Sequence, residues 1–297
     1  MPTAITSAIT EQSVWFITGC STGFGRELAK QLLARGSRVV VTARNPHALT
    51  QFAGIENALV QKLDVTDPAE IVAAVQAAET RFGRIDVLVN NAGIGYFAAV
   101  EEGEDAEIRR MFDINLFGVS SVTRAVLPGM RKRRHGFIVN FSSIGGLRSF
   151  PAIGWYNATK FALEGLSEAL WQEVEPLGIK VMLVEPSGFR TDWAGRSADV
   201  SKAQITDYAA TAGAARAGVR AVSGKQAGDP VRAVQAIIKV VEGPGPPHHL
   251  LLGNDAYDGA IAKLAELRAD FAKFEGVSRS ADFPKDDTPK PAAERTA

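Results

Sequence analysis

The sequence predicts an α/β protein built as one doubly wound domain, a parallel sheet covered by helices on both faces. Three observations predict it. Seven short apolar runs, several rich in Val and Ile with little polar alternation, read as strands buried on both faces. Segments of helical period lie between them, and such alternation implies right-handed crossovers and parallel pairing. Gly and small polar residues gather where the apolar runs end, the place where sheets of this kind bind ligands.

In chain order the runs are "SVWFIT", "RVVVTA", "ALVQKL", "DVLVNN", "GFIVNF", "KVMLVE" and "HHLLLG". The helical segments are 26–35, 68–81, 105–127, 156–175 and 230–241. Asp67-Pro68 and Asp229-Pro230 each put an N-cap acceptor before a proline at the first helical position. Glu70, three residues after Asp67, suggests a capping box. Residues 1–12 form an N-terminal extension and 13–276 the domain. Within it, 187–229 lack a clear strand and read as a lid over a site. Residues 277–297, rich in Pro, Lys and Asp, read as a disordered C-terminal tail.

Composition narrows the function. The 297 residues are 46% hydrophobic, enough for a sizeable core. Lys+Arg and Asp+Glu number 33 each, and this zero balance argues against a general nucleic-acid binder. One cysteine excludes an intrachain disulfide. "MPTAITSAITEQ" lacks a basic segment and an apolar core, so no signal peptide is expected. The longest uncharged stretch, "VLVNNAGIGYFAAV", is well short of the roughly 18–20 apolar residues of a membrane span. A soluble cytoplasmic protein is expected.

After the first strand comes "ITGCSTGFG", with Gly19, Gly23 and Gly25 in a strand-to-helix turn. Glycines there let backbone N–H groups approach a pyrophosphate at a helix N-terminus. The spacing is G-x-x-x-G-x-G, not G-x-G-x-x-G, so the turn alone fits a phosphate cradle and a ligand-free turn about equally.

Tyr156 and Lys160 lie one turn apart on a helix face. An ammonium near a phenol favours the phenolate and is expected to lower the tyrosine pKa, fitting it for proton transfer near neutral pH. "NFSSIGG", at a strand end upstream, can deliver a hydroxyl to the same place.

The glycine pattern, "NNAG", a serine thirteen residues before Y-x-x-x-K, and the strand-ending "EPSGFRT" together resemble the short-chain dehydrogenase/reductase family, in its branch of roughly 250 residues. The resemblance covers about residues 13–255. It implies a Rossmann-like fold, a nicotinamide cofactor and no catalytic metal. By resemblance, Tyr156 is the general acid/base and Lys160 lowers its pKa and binds the nicotinamide ribose. Ser143 holds the substrate oxygen, and Asn115 supports a proton relay. The turn residues Gly19, Ser21, Thr22, Gly23, Phe24 and Gly25 would face the cofactor. So would Asp64 and Val65 near the adenine, and Asn91, Ala92 and Gly93. Pro186, Ser187, Gly188, Phe189 and Thr191 would lie about the nicotinamide. Ser187 departs from the family's usual glycine, which puts the backbone geometry there in question. Relatives associate through their fourth and fifth long helices, so a homodimer or homotetramer is expected.

At the end of the second strand an acidic residue would bind a ribose 2′-OH, but Ala43 stands there and Arg44 follows. Arg44 can pair with a 2′-phosphate, which favours NADP(H) over NAD(H). Tyr96, Phe97, Leu147, Phe150, Trp155, Phe189 and Trp193 flank the expected site, and the substrate positions among them are Tyr96, Leu147, Phe150 and Trp193. They suit a hydrophobic ketone, aldehyde or secondary alcohol. The glycine turn and "NNAGIGYFAAVEE" look most like hydroxysteroid and retinol dehydrogenases, so an NAD-dependent enzyme of that type is the alternative. A non-enzymatic dinucleotide sensor is a second one. His248-His249 show no Cys or acidic partner at ligand spacing and read as strand or surface residues. "RKRRH", 131–135, reads as a solvated helix end. Cys20 reads as a packing residue, oxidant-sensitive if exposed.

Overall fold

The computed structural model describes residues 9–195 and 198–283 of the chain. Its strands are β1 (Val14–Ile17), β2 (Arg38–Ala43), β3 (Ala58–Lys62), β4 (Val87–Asn90), β5 (Gly95–Phe97), β6 (Gly136–Phe141), β7 (Ile179–Pro186), β8 (Ala198–Val200) and β9 (His249–Leu252). All seven expected strands join one parallel sheet in the order β3-β2-β1-β4-β6-β7-β9. The order reverses between β1 and β4, which opens a crevice at their carboxyl ends.

The helices are α1 (Gly23–Ala34), α2 (Pro68–Phe82), α3 (Asp105–Phe112), α4 (Val119–Arg133), α5 (Gly154–Val174), α6 (Ala214–Ala221), α7 (Pro230–Val241), α8 (Asn254–Lys273) and α9 (Glu275–Arg279). Successive strand residues feed opposite cores, as the period of two requires. Trp15, Ile17, Val39 and Val41 meet Leu28 and Leu32 of α1 and Val234 and Ile237 of α7. Phe16, Val40, Leu88 and Ile138 meet Ile71 and Val75 of α2 and Val122 and Val126 of α4. Burying each such side chain contributes about 1.5–3 kcal/mol.

Several local expectations change. The segment 105–127 is not one helix: α3 passes through a π-helical stretch, Asp113–Gly118, into α4, which runs on past Pro128 to Arg133. Asp67 caps α2, accepting from the amides of Ala69 and Glu70 at 2.8 and 3.2 Å. Glu70 does not close a capping box; its Oε2 accepts from the Asp64 amide at 2.8 Å. The segment expected to lack a strand contains β8, which pairs in parallel with β5. Its anchor is Glu102, whose carboxylate accepts from the amides of Ala99 and Ile205, both at 2.9 Å, and pairs with Arg216 at 3.4 Å. Sequence periodicity did not signal α8. The expected disordered tail begins inside α9, and 284–297 lie outside the described residues, as do 1–8 of the N-terminal extension.

Candidate active site

The glycine turn joins β1 to α1 at the crevice. Gly19 has φ +72° and Gly23 φ +57°, conformations that favour glycine. A Cβ on Gly25 would stand 2.5 Å from the Gly19 carbonyl oxygen, so that glycine is required by close approach. Asn91 holds the turn: its carboxamide donates to the carbonyls of Thr18 and Gly19, both at 2.9 Å. The amides of Asn91 and Ala92 each donate to Thr18 Oγ1 at 3.0 Å. Thr22, the N-cap of α1, makes no side-chain cap bond, and the first turn carries no acidic residue. These glycines and the uncapped helix start fit a phosphate-bearing ligand. Ser21 and Phe24 are half-buried beside them.

Across the crevice, Thr191 faces the turn, its Cβ 3.6 Å from where a Gly23 Cβ would stand. Phe189 and Phe141 pack on Phe24 with ring centroids 5.1 and 5.4 Å away. Gly228 N donates to Gly188 O at 3.1 Å, and Arg190 N to Gly228 O at 3.0 Å. Ser187, following Pro186 at the end of β7, is not among the residues of positive φ, so no glycine is needed there. Its hydroxyl occupies the space a side chain on Gly253 would take, and Gly253 has φ +93°. At the far side Arg44 is exposed just beyond β2. Burial opposes ionisation of Asp64, but the amide and hydroxyl of Thr66 and the charge of Arg44 hold its carboxyl below the usual value. Val65 is buried beside it, 2.7 Å from where a Gly118 Cβ would stand.

The four residues assigned to catalysis gather around α5. Ser143 lies two residues past β6 and caps the turn Ile144–Gly146, accepting from Gly145 N at 3.0 Å. Its Oγ and the Tyr156 ring meet at one point, 3.3 and 3.5 Å from where a Gly145 Cβ would stand. Lys160, buried, donates to the Phe141 carbonyl at 2.7 Å and sits 5.6 Å from the centre of the Tyr156 ring. Asn115 lies in the π-helical stretch; Ile94 N donates to its Oδ1, and its Nδ2 donates to Ile94 O, each at 2.9 Å. That Nδ2 also donates to Thr159 Oγ1 at 3.2 Å, and Thr159 donates to the Tyr156 carbonyl at 2.7 Å. Gly93 leaves room for this carboxamide, since its Cβ would lie 3.2 Å from Asn115 Oδ1.

The proton balance differs from the sequence expectation. Burial pushes the Tyr156 phenol up to about 12, against the Ser143 hydrogen bond, and pushes Lys160 down to about 8, opposed by Glu164. Lys160, whose ammonium donates to Phe141, does not lower the phenol here, and burial sets the direction.

Of the residues expected to meet substrate, Trp193 lies over the centre, 5.0 Å from the Tyr156 ring. Tyr96 is buried in the same apolar cluster, its hydroxyl donating to Glu104 at 3.1 Å. Leu147 and Phe150 pack instead with Ile144, Ala256 and Ala260, at the base of α8. Cys20 is buried, its thiol pushed up to about 12, which removes the exposed-thiol reading. The basic run ends α4, with Arg134 donating to the Pro176 carbonyl at 2.6 Å. His249 has the acidic partners that its sequence neighbourhood lacks: Glu185 at 2.6 Å and Glu164 at 3.8 Å. Sequence reasoning passed over both acids, although Glu164 follows Lys160 at helical spacing.

The model of the family described as short chain dehydrogenase matches residues 13–202. The chain belongs to the short-chain dehydrogenase/reductase family. The match takes in the glycine turn, the Asn91 bridge and the Ser143–Tyr156–Lys160 group. Oxidoreductase BOA17 of Botryotinia fuckeliana (strain B05.10) is 40% identical over 268 residues, covering 89% of this chain and 97% of that protein. A 3-ketodihydrosphingosine reductase of Bacteroides thetaiotaomicron is 42% identical over 200 residues, 67% of this chain and 72% of that one. The crystal structure of a short-chain dehydrogenase from Streptomyces avermitilis superposes with a TM-score of 0.86 at 42% identity, covering 92% of this chain and all of that one. One from Burkholderia phymatum, in complex with NAD, gives 0.74 at 25% identity, with 90% and 97% covered.

Proposed function

We propose that this oxidoreductase uses NADP(H) to interconvert a hydrophobic ketone or aldehyde and its alcohol, with Tyr156 as the general acid/base. The observation that carries the reading is the convergence of Ser143 Oγ and the Tyr156 ring, with the Lys160 ammonium 5.6 Å from that ring's centre, beside a glycine turn fit for a dinucleotide. When bound, the nicotinamide supplies or accepts the hydride at the carbonyl carbon. Ser143 holds the carbonyl oxygen, and Tyr156 gives it a proton or takes one from the alcohol. Lys160 keeps positive charge beside the phenol. Asn115 fixes the Ile94 backbone and Thr159, supporting a proton path behind Tyr156. Trp193 shields the reacting oxygen from water, and segment 187–229 acts as the lid that carries it. The apolar wall and the ketone-reducing relative from Bacteroides support a hydrophobic carbonyl substrate.

Arg44 at the end of β2, with Ala43 where an acid would bind a 2′-OH, supports NADP(H). The NAD complex of the Burkholderia phymatum neighbour favours the other reading, an NAD-dependent dehydrogenase. Turnover of one aromatic ketone with NADPH and with NADH separates them; faster NADH turnover defeats the Arg44 argument. Tyr156→Phe tests the chemistry. Phe117, Phe161 and Leu166, exposed on the α4–α5 side, support association of copies through these helices. No helix among the described residues is long and apolar enough to cross a membrane. A cytoplasmic location is part of the proposal.

A further inference from the structure

The reaction proposed above leaves one buried cluster unused. Glu164 follows Lys160 by one turn of α5, as Lys160 follows Tyr156, so the three share a helix face. The Glu164 side chain is 11% exposed, and that of Glu185 on β7 is fully buried. His249, at the start of β9, places Nδ1 2.6 Å from Glu185 Oε1 and 3.8 Å from Glu164 Oε2. Glu185 Oε2 is buried with no hydrogen-bond partner. Gly146 makes room for the cluster: a Cβ there would stand 2.7 Å from both Glu164 Oε1 and Ser142 Oγ.

Two buried carboxylates at this distance cannot both ionise without compensation. The facing groups are few. Lys160 and Glu168 come from α5, Glu185 from β7 and His249 from β9, and the Ser142 hydroxyl bounds the site from the end of β6. The ligand-type atoms of Glu164, Glu185 and His249 lie within 4.8 Å of one another, a spacing a divalent cation also accepts. The His249–Glu185 hydrogen bond, however, favours the protonated imidazole, so protons can supply the compensating charge without a metal.

We propose that Glu164 is a positioning residue for the Tyr156–Lys160 chemistry, acting through protons it holds in common with Glu185 and His249, which set the negative charge behind Lys160. Burial and the neighbouring Glu185 raise Glu164 to about 7, and the Glu185 hydrogen bond raises His249. Removing the Glu164 charge lowers the pKa values of its neighbours, and removing the His249 charge raises them. The kinetic test rests on the reductase reading; the stability test does not.

In ketone reduction, Glu164→Gln is expected to move the alkaline limb of the kcat profile down by about one pH unit, with the plateau within about threefold of wild type. His249→Gln is expected to move it up, and Glu164→Asp to restore it. In the cofactor-free protein, a Glu164 pKa raised from 4.5 to about 7 makes wild-type stability fall as pH rises between those values and level off above them. The Tm advantage of Glu164→Gln is therefore expected to grow between pH 4.5 and about 7, and the slope contributed by His249 to flatten in His249→Gln. Unmoved limbs with parallel Tm curves overturn the proposal, as does a stoichiometric divalent ion in the purified protein. If Glu164→Gln does not fold, His249→Gln decides by the same two measurements. If wild type turns over no carbonyl, the reductase reading fails, and the Tm curves still decide the role of the cluster.

Discussion

Lys160 and Tyr156 share a helix face, yet the ammonium donates 2.7 Å to the Phe141 carbonyl and lies 5.6 Å from the phenol ring centre. A buried lysine brought from 10.5 to about 8 is costly to keep charged in the fold, by about 3 kcal/mol. A methionine there removes that cost but also loses the Phe141 hydrogen bond, worth about 1.5–3 kcal/mol. Lys160→Met is therefore expected to keep wild-type stability within about 2 kcal/mol while losing activity. The sign follows from linkage: the lysine's cost is full below pH 8 and vanishes as pH approaches 10.5. Any stability advantage of the variant should fade over that window, as urea titrations at several pH values would show.

Tyr156→Phe removes the proposed proton donor and spares the packing against Trp193. We expect kcat for carbonyl reduction to fall at least about 100-fold, with cofactor affinity, read by fluorescence titration, near wild type. Undiminished turnover sinks the assignment.

Gly25→Ala forces a methyl group to 2.5 Å from the Gly19 oxygen. The turn must shift, at a cost of about 1–3 kcal/mol. Dinucleotide affinity should weaken more than substrate affinity, as separate titrations would resolve.

Gly253→Ala meets both a φ of +93° and the Ser187 hydroxyl, and should cost about 1–3 kcal/mol. Ser187→Gly alone should be well tolerated. The double variant should recover part of the loss, so the pair is non-additive in a thermal-melt cycle.

Glu102 ties the 99–102 turn to residues 201–216 through the Ala99 and Ile205 amides and Arg216. Those bonds hold its carboxyl below the usual range, so the anchor is present above the unfolded pKa and lost as pH falls through the lower folded value. Glu102→Gln should raise KM more than it lowers kcat and speed proteolysis within 187–229. Equal cleavage rates would contradict the anchoring role.

The main sheet was legible because its strands are buried on both faces and carry their apolar runs unbroken, as in "RVVVTA" and "GFIVNF". The caps Asp67 and Asp229 were legible because they act within three residues. β5 and β8 were not: each is three residues long and exists only through pairing across about a hundred positions. The break at Asp113–Gly118 was hidden because helical period runs through it, and Asn115 bonds to Ile94, not to its own helix. α8 was missed because only its first turns pack on the body, at Ala256, Gly259 and Ala260.

By itself the sequence determined the fold class and the family resemblance that implies the Ser143–Tyr156–Lys160 set, since apolar period and motif spacing are local quantities. Tertiary structure alone decided the charge of that set and the partners of His249. A pKa depends on burial and on groups brought together from β6, β7, β9 and α5, and no spacing along the chain encodes that environment.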